Sequence, residues 1–371
     1  MKTGSFLIDA ERREERFRIK ELLHTGGSHQ IALAEDTHLD DKLVCVKTIL
    51  YDTDRLDNGA YIKARREALR EEMTFLTLRT PILPEPIDWL EIGSGPVESA
   101  REPVLVYEYQ HGQTLHELVT RSHARGLAPL RALRIFRRLA IFLGEIHEGG
   151  YVFRDLDPRH VIIGFDDVVH VVGCGNAVPM KKRLNAAKVG TNEAYTAPEI
   201  RNELSGSMLS RASDIYSLGA LFSFMLTGEE PRASVESPLS YEAYTRLKEI
   251  EPPGLALLLA RCIQPLPKKR FTGVRKLLPY CEPDALPTRE SEGFGMVMLP
   301  APWRGAEPPE TPRALKSKLS AGPLISVGSE GEESMEEGEV THGSSRRRLV
   351  FTVAMVAVVL AILIVLTLLQ P

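Results

Sequence analysis

The side chains able to do chemistry are gathered in one stretch, YVFRDLDPRHVIIGFDDVVHVVGCG, at positions 151–175. Arg154, Asp155, Asp157, Arg159 and His160 make a charged loop. Directly after it, Val161–Ile163 and Val168–Val172 read as two short apolar strands, joined by the turn Gly164–Phe165–Asp166–Asp167. Short apolar runs bounded by turn residues predict a hairpin, with the charged loop in front of it.

This segment resembles the catalytic loop of protein kinases and the strand pair that follows it, whose pattern runs HRDLKPxN and then DFG. Here the signatures read FRDLDPRH and GCG. The kinase Asp, the catalytic base, is Asp155, preceded by Arg154; Phe153 stands for the His, Asp157 for the Lys, His160 for the Asn and Gly173 for the DFG Asp. The last two positions lie thirteen residues apart, as in kinases, so no gap is needed. The chemistry implied is phosphoryl transfer from ATP, in which kinases hold two Mg²⁺ ions through that Asn and that Asp. Magnesium takes oxygen ligands. Gly173 has no side chain, and the His160 imidazole suits transition metals better. Asp157 turns a favourable contact near the transferred phosphate into a repulsive one, on the order of several kcal/mol if desolvated. The resemblance therefore implies an ATP site with Mg²⁺ binding lost, and the kinase ligand positions occupied by His160 and Gly173.

Other landmarks follow in kinase order. Arg16–Ala34 reads as two strands around a turn and is similar to the glycine-rich loop, GxGxxGxV, with His24, Gly26, His29 and Ile31 at the three glycine positions and the Val. Only the middle glycine is kept, with Gly27 beside it. A side chain at such positions keeps backbone amides away from phosphate oxygens. Leu43–Ile49 alternates as a strand and resembles VAIK, giving Lys47 as the phosphate-binding lysine and Cys45 as the roof of the adenine slot. Ala60–Leu78 reads as a helix, in which Glu71 fits the partner of that lysine; Glu67 or Glu72 are the alternatives. Val104–Leu115 resembles the last N-lobe strand and hinge, with Tyr107 as gatekeeper, Glu108 and Tyr109 opening the adenine-binding hinge, and Ile162 as the floor opposite Ile31 and Cys45.

Apolar residues at helical spacing over Arg131–Glu148 predict a buried scaffold helix. An activation-segment equivalent runs from Gly175 to Glu199, with a basic cluster at Lys181, Lys182 and Arg183, acceptor hydroxyls at Thr191 and Thr196, and the ending GTNEAYTAPEI. Ser213–Gly228 resembles the helix that opens DxWSLG, so Asp214 is expected to brace the catalytic-loop backbone; Arg270 is expected to pair with Glu199.

The whole chain has 371 residues, 43% hydrophobic and 26% charged, a globular average. A net charge of −4 argues against binding nucleic acid by bulk electrostatics. Cys45, Cys174, Cys262 and Cys281 lack metal-binding spacing and fit a reducing compartment. The N-terminus has no apolar segment of signal-peptide type, so the chain is expected to start in the cytosol. Residues 283–345 are rich in Pro, Gly, Ser and Glu, with six Glu among residues 330–339, and predict a disordered tether. Leu349–Leu369 is an uncharged apolar run of 21 residues after Arg346, Arg347 and Arg348. At about 1.5 Å per residue it spans roughly 30 Å, one bilayer, with the Arg cluster on the cytoplasmic side.

The expected architecture is α+β and bilobal: lead-in 1–15, β-rich N-lobe 16–108, mainly helical C-lobe 109–282, linker 283–348 and one transmembrane helix 349–369. The expected function is a membrane-anchored pseudokinase that scaffolds or regulates protein partners and binds ATP. The alternative is a divergent active Ser/Thr kinase with Asp155 as base, recruiting Asp166, Asp167 or His160 to a metal.

Overall fold

Side-chain alternation gives the N-terminal sheet two different faces. In the computed structural model, residues 1–302 are described except 11, 13, 27–28, 57, 79, 94–100, 123–125, 181–191, 202–209 and 235–236. Strands β1 (Phe6–Ile8), β2 (Glu15–Gly26), β3 (His29–Asp36), β4 (Lys42–Ile49), β5 (Pro86–Ile92) and β6 (Glu102–Glu108) form one antiparallel sheet in the order β1-β2-β3-β4-β6-β5. Val44, Val46, Val104 and Val106 point to one face and pack with Phe17, Ile19, Ala32, Ala34 and Leu90. Cys45, Leu105 and Tyr107 point to the other and join the main core. Lys47, two residues beyond Cys45, is delivered to this second face. Helix α1 (Gly59–Leu76) starts where the Asn58 side chain accepts from Tyr61 N at 3.0 Å.

The second lobe is mainly helical. After β7 (Gln113–Thr114) come α2 (Leu115–Thr120), opened by a Thr114/Glu117 capping box, and α3 (Pro129–Glu148), whose apolar stripe includes Leu133, Phe136, Leu139, Ala140, Leu143 and Ile146, all buried. β8 (Tyr151–Val152) leads to the charged loop, and β9 (Val161–Ile163) and β10 (Val169–Val171) make the expected hairpin, with Val161 opposite Val171. β11 (Val178–Pro179) returns to pair with β8. Then follow α4 (Pro198–Arg201), α5 (Arg211–Thr227), α6 (Tyr241–Lys248), α7 (Gly254–Cys262) and α8 (Val274–Leu277). Every side chain from Ser213 to Thr227 is buried, which makes α5 the central helix. The arrangement is α+β and bilobal.

Two boundaries differ from the expectation. The expected lead-in 1–15 is, in its described residues, part of the lobe: Leu7 inserts into the sheet core as β1 pairs with β2, and Arg12 forms a bidentate pair with Asp88 at 2.8 and 2.9 Å. Nor does the second lobe stop at 282. Phe294 is fully buried against Phe271 and Tyr280, with Arg261 over its ring, so the described part of the expected linker belongs to this core. Among the described residues no helix is long and apolar enough to cross a membrane. The expected span at Leu349–Leu369 and the acidic run before it lie outside the described residues, as do Lys181, Lys182, Arg183 and Thr191.

Candidate functional site

The charged loop is held from behind by α5. Asp214, fully buried, accepts from Phe153 N and Arg154 N, both at 2.8 Å, and meets His147 Nε2 at 2.8 Å. These bonds hold Arg154 at φ +72, a left-handed conformation uncommon for a residue with a Cβ. The loop is thus fixed one residue before Asp155. Asp155 is 7% exposed, and its carboxylate accepts from Asn176 Nδ2 at 2.8 Å while His160 Nδ1 stands 3.5 Å away. Burial pushes the carboxyl above the usual range, against the pull of His160 and Asn176.

Asp157, expected as an unbalanced negative charge, is engaged instead. It accepts from Arg159 N and from Asn192 Nδ2, each at 2.7 Å, and Arg159 Nη1 lies 3.5 Å from it. Burial of this carboxylate is tolerable because donors surround it. Thr196 is also turned inward, with its hydroxyl donating to Asn192 O at 2.9 Å.

Lys47 forms its ion pair with Glu72, not Glu71. The ammonium lies 2.8 and 2.7 Å from the two Glu72 oxygens, and both side chains are buried. The inward face of α1 is Leu69, Glu72, Phe75 and Leu76, whereas Glu71 is exposed. Adjacent helical residues are about 100° apart, so only one of two neighbouring glutamates can face β4. The Leu69, Glu72 and Phe75 spacing of three carries that signal in the sequence.

Under this pair sits the GCG turn. Gly173 has φ +76, and a Cβ there would come 3.0 Å from the Cγ and Cδ2 of His160. A Cβ on Gly175 would come 2.9 Å from Glu72 Oε2. Cys174 between them is buried in the core. The imidazole of His160 therefore fills the room that a side chain at 173 would need. Among the described residues, no three His, Cys, Asp or Glu side chains converge so as to hold a metal ion.

The residues expected around adenine come from four strands, β3, β4, β6 and β9, and from the segment that follows β6. Cys45 faces Tyr107 across β4 and β6, and Ile31 faces Lys47 across β3 and β4. Ile162, on β9, is half-buried; it packs so close to Gly112 that a Cβ there would meet its Cγ2 at 2.8 Å. Burial pushes the Cys45 thiol up to about 12, which keeps it protonated. Glu108 accepts from Lys42 Nζ at 3.1 Å, and its N–H donates to Glu85 O at 2.9 Å. Tyr109 packs edge-on against His111. Gly26 pairs with His29 at the end of the β2–β3 hairpin, beyond which Gly27 lies outside the described residues. The His24 and His29 rings are 5.8 Å apart. Burial, then the Lys47 charge, lowers His29 to about 3, leaving a neutral imidazole where phosphate-binding loops use glycine.

Away from the cleft, all five N–H groups of the buried Arg270 are satisfied: by both Glu199 oxygens at 2.7 and 2.8 Å and by the carbonyls of Gln264, Ala212 and Pro265. Ser213 Oγ also donates to Glu199. Burial raises the Glu199 carboxyl, but the Arg270 hydrogen bond and charge more than reverse this and leave it below its ordinary value. Asn176 and Asn192, which tie the loop aspartates, and His147, which supports Asp214, were not singled out from sequence. Their only signal is position: one closely follows the GCG turn, one precedes the TAPE run, and one ends α3.

A model of the protein kinase domain matches residues 17–279. The chain is 31% identical over 255 residues to the serine/threonine-protein kinase PknB of Mycobacterium tuberculosis, covering 67% of this chain and 37% of that protein. It is 26% identical over 327 residues to the serine/threonine-protein kinase PksC of Streptomyces coelicolor, covering 80% of this chain and 56% of that one. A probable serine/threonine-protein kinase of the same Streptomyces is 30% identical over 239 residues, with 63% and 33% covered. The match thus spans between a third and somewhat over half the length of these relatives.

Proposed function

Since this chain belongs to the protein kinase domain family, we propose that it is a pseudokinase: a kinase-shaped module that binds ATP and protein partners without efficient phosphotransfer. The observation that carries this is the pairing of Gly173 with His160. Family members hold Mg²⁺ through oxygen ligands at these positions. Here one position has no side chain and the other places a ring 3.0 Å from where that side chain would start. The residues present do not suit the metal. What supports nucleotide binding is Lys47, held by Glu72 and opposite Ile31 across β3 and β4. We place the module at the cytoplasmic face of a membrane, anchored by Leu349–Leu369, with signalling proteins rather than nucleic acid as partners.

Nucleotide binding without metal dependence is the direct consequence. Titration of the full chain with a fluorescent ATP analogue should give the same affinity in EDTA as in magnesium, and should fail in Lys47→Ala. Strict magnesium dependence would overturn the proposal.

One observation favours a second reading, an active Ser/Thr kinase. Asp155 is kept and held in place through Asn176 and the Asp214 brace, the position from which a base accepts a hydroxyl proton. In that case Asp155→Asn abolishes transfer of the γ-phosphoryl group.

A further inference from the structure

On the far side of the β9–β10 hairpin, the turn between these strands faces three arginines of α3 across a cleft of about 610 Å³. Arg131, Arg134 and Arg138 lie at helical spacing on one side of α3. The turn is built to a definite shape. Asp166 and Asp167 both adopt left-handed backbone, at φ +54 and +58, which residues with a Cβ rarely do in succession. Arg131 holds the Asp167 carboxylate through Nε and Nη2, at 3.0 and 2.7 Å, and Arg138 donates to the Asp167 carbonyl. The consequence is an outward-pointing aromatic ring: Phe165 is 89% exposed.

We propose that this cleft docks an acidic polypeptide segment of a partner protein, one that carries an apolar side chain for Phe165. Charge sets the class of ligand. Arg134 is 63% exposed and reaches Asp167 only at 3.6 Å. Among the described residues the Arg138 guanidinium meets a carbonyl and no carboxylate. Their neighbour Arg137 is turned away to Glu282, at 2.6 Å. Two guanidiniums are thus left to fork onto carboxylates of a ligand. The Asp166 carboxylate at the rim disfavours a uniformly anionic surface such as a lipid bilayer or a phosphate backbone, while a peptide can place its glutamates around it. An exposed aromatic beside arginines has the composition of an interface centre. This surface is separate from the nucleotide cleft, so its occupation does not depend on whether phosphate is transferred.

The test uses the full chain and a fluorescein-labelled peptide alternating Glu-Glu with Leu, read by anisotropy, beside two control peptides with Gln for Glu and Ser for Leu. Saturable binding should weaken about tenfold with either control peptide and with either Arg134→Ala or Phe165→Ser. Both substitutions are at exposed side chains and leave the Arg131 clasp intact, so thermal melts should be unchanged. Equal binding of the Gln peptide, or indifference to Phe165→Ser, would reduce the cleft to a patch of surface charge and overturn the proposal. So would tighter binding to phosphatidylserine vesicles than to the peptide, or protection of the cleft by self-association in sedimentation.

Discussion

At the scale of single residues, the nucleotide cleft depends on which glutamate reaches Lys47. Replacing one member of a buried ion pair leaves the other charge desolvated, a loss of about 3–5 kcal/mol. Glu72→Gln should lower unfolding stability by about that amount in urea titrations, whereas Glu71→Gln, on the exposed side of α1, should stay within about 0.5 kcal/mol. The reverse order would mean that the register of α1 is wrong. The residue pair 71–72 also shows where a motif stops being legible: two adjacent glutamates each fit the partner role, and a turn of about 100° is decided by the spacing and packing of Leu69 and Phe75, not by the motif. The loss at Gly173 could be read directly, since a missing carboxylate is visible in the letters. That His160 occupies the space in front of it could not. The two positions should therefore behave as a unit: Gly173→Asp alone strains a left-handed backbone and crowds the imidazole, and only Gly173→Asp with His160→Asn should gain magnesium-dependent ATP binding. A single substitution that restores it in full would contradict the described contact.

At the scale of elements, composition misleads where one aromatic anchors a polar segment. Residues 283–302 contain the Pro, Gly and Ser expected of a tether, yet Phe294 is fully buried and Arg261 lies 4.5 Å from the Phe271 ring and 4.8 Å from the Phe294 ring. Phe294→Ala should lower stability by about 3–5 kcal/mol, as for other buried aromatics. A change below about 1 kcal/mol would return this segment to the linker. Short β1 is hard to read for a related reason, since in three residues only Leu7 turns inward while Phe6 and Ile8 stay exposed. By contrast, α3 was readable from periodicity because nearly every apolar position of its stripe is used, and α5, buried on all sides, was readable from its motif. The Glu199–Arg270 link between α4 and the segment after α7 adds a pH signature. The Glu199 carboxyl is depressed in the folded state, so its contribution is present above the ordinary value of 4.5 and is lost as pH falls through the lower folded value. The stability gap between the parent and Glu199→Gln should therefore be widest near neutrality and should shrink below about pH 4.5; a gap independent of pH would place the ion pair's role elsewhere.

At the scale of the molecule, the fold-bearing residues persist around a changed reaction centre. Asp214 holds the loop, Arg270 and Glu199 hold the second lobe, and Lys47 keeps its glutamate, while the positions that family members use for magnesium carry a glycine and an imidazole. The bilobal architecture was legible from ordered motifs, since these are fixed by backbone needs that any member of the family shares. The hydrogen bonds of Asn176 and Asn192 to the loop aspartates were not, because side-chain amides carry no spacing rule. Anchoring is a separate matter: deletion of residues 349–369 should move the chain from the membrane pellet to the supernatant in fractionated cells, and retention in the pellet would remove the proposed span. The central claim is tested by incubating the purified full chain with γ-labelled ATP and Mg²⁺ or Mn²⁺, beside its Asp155→Asn variant. The account predicts no label above the variant's background with either metal, and label that depends on Asp155 would contradict it.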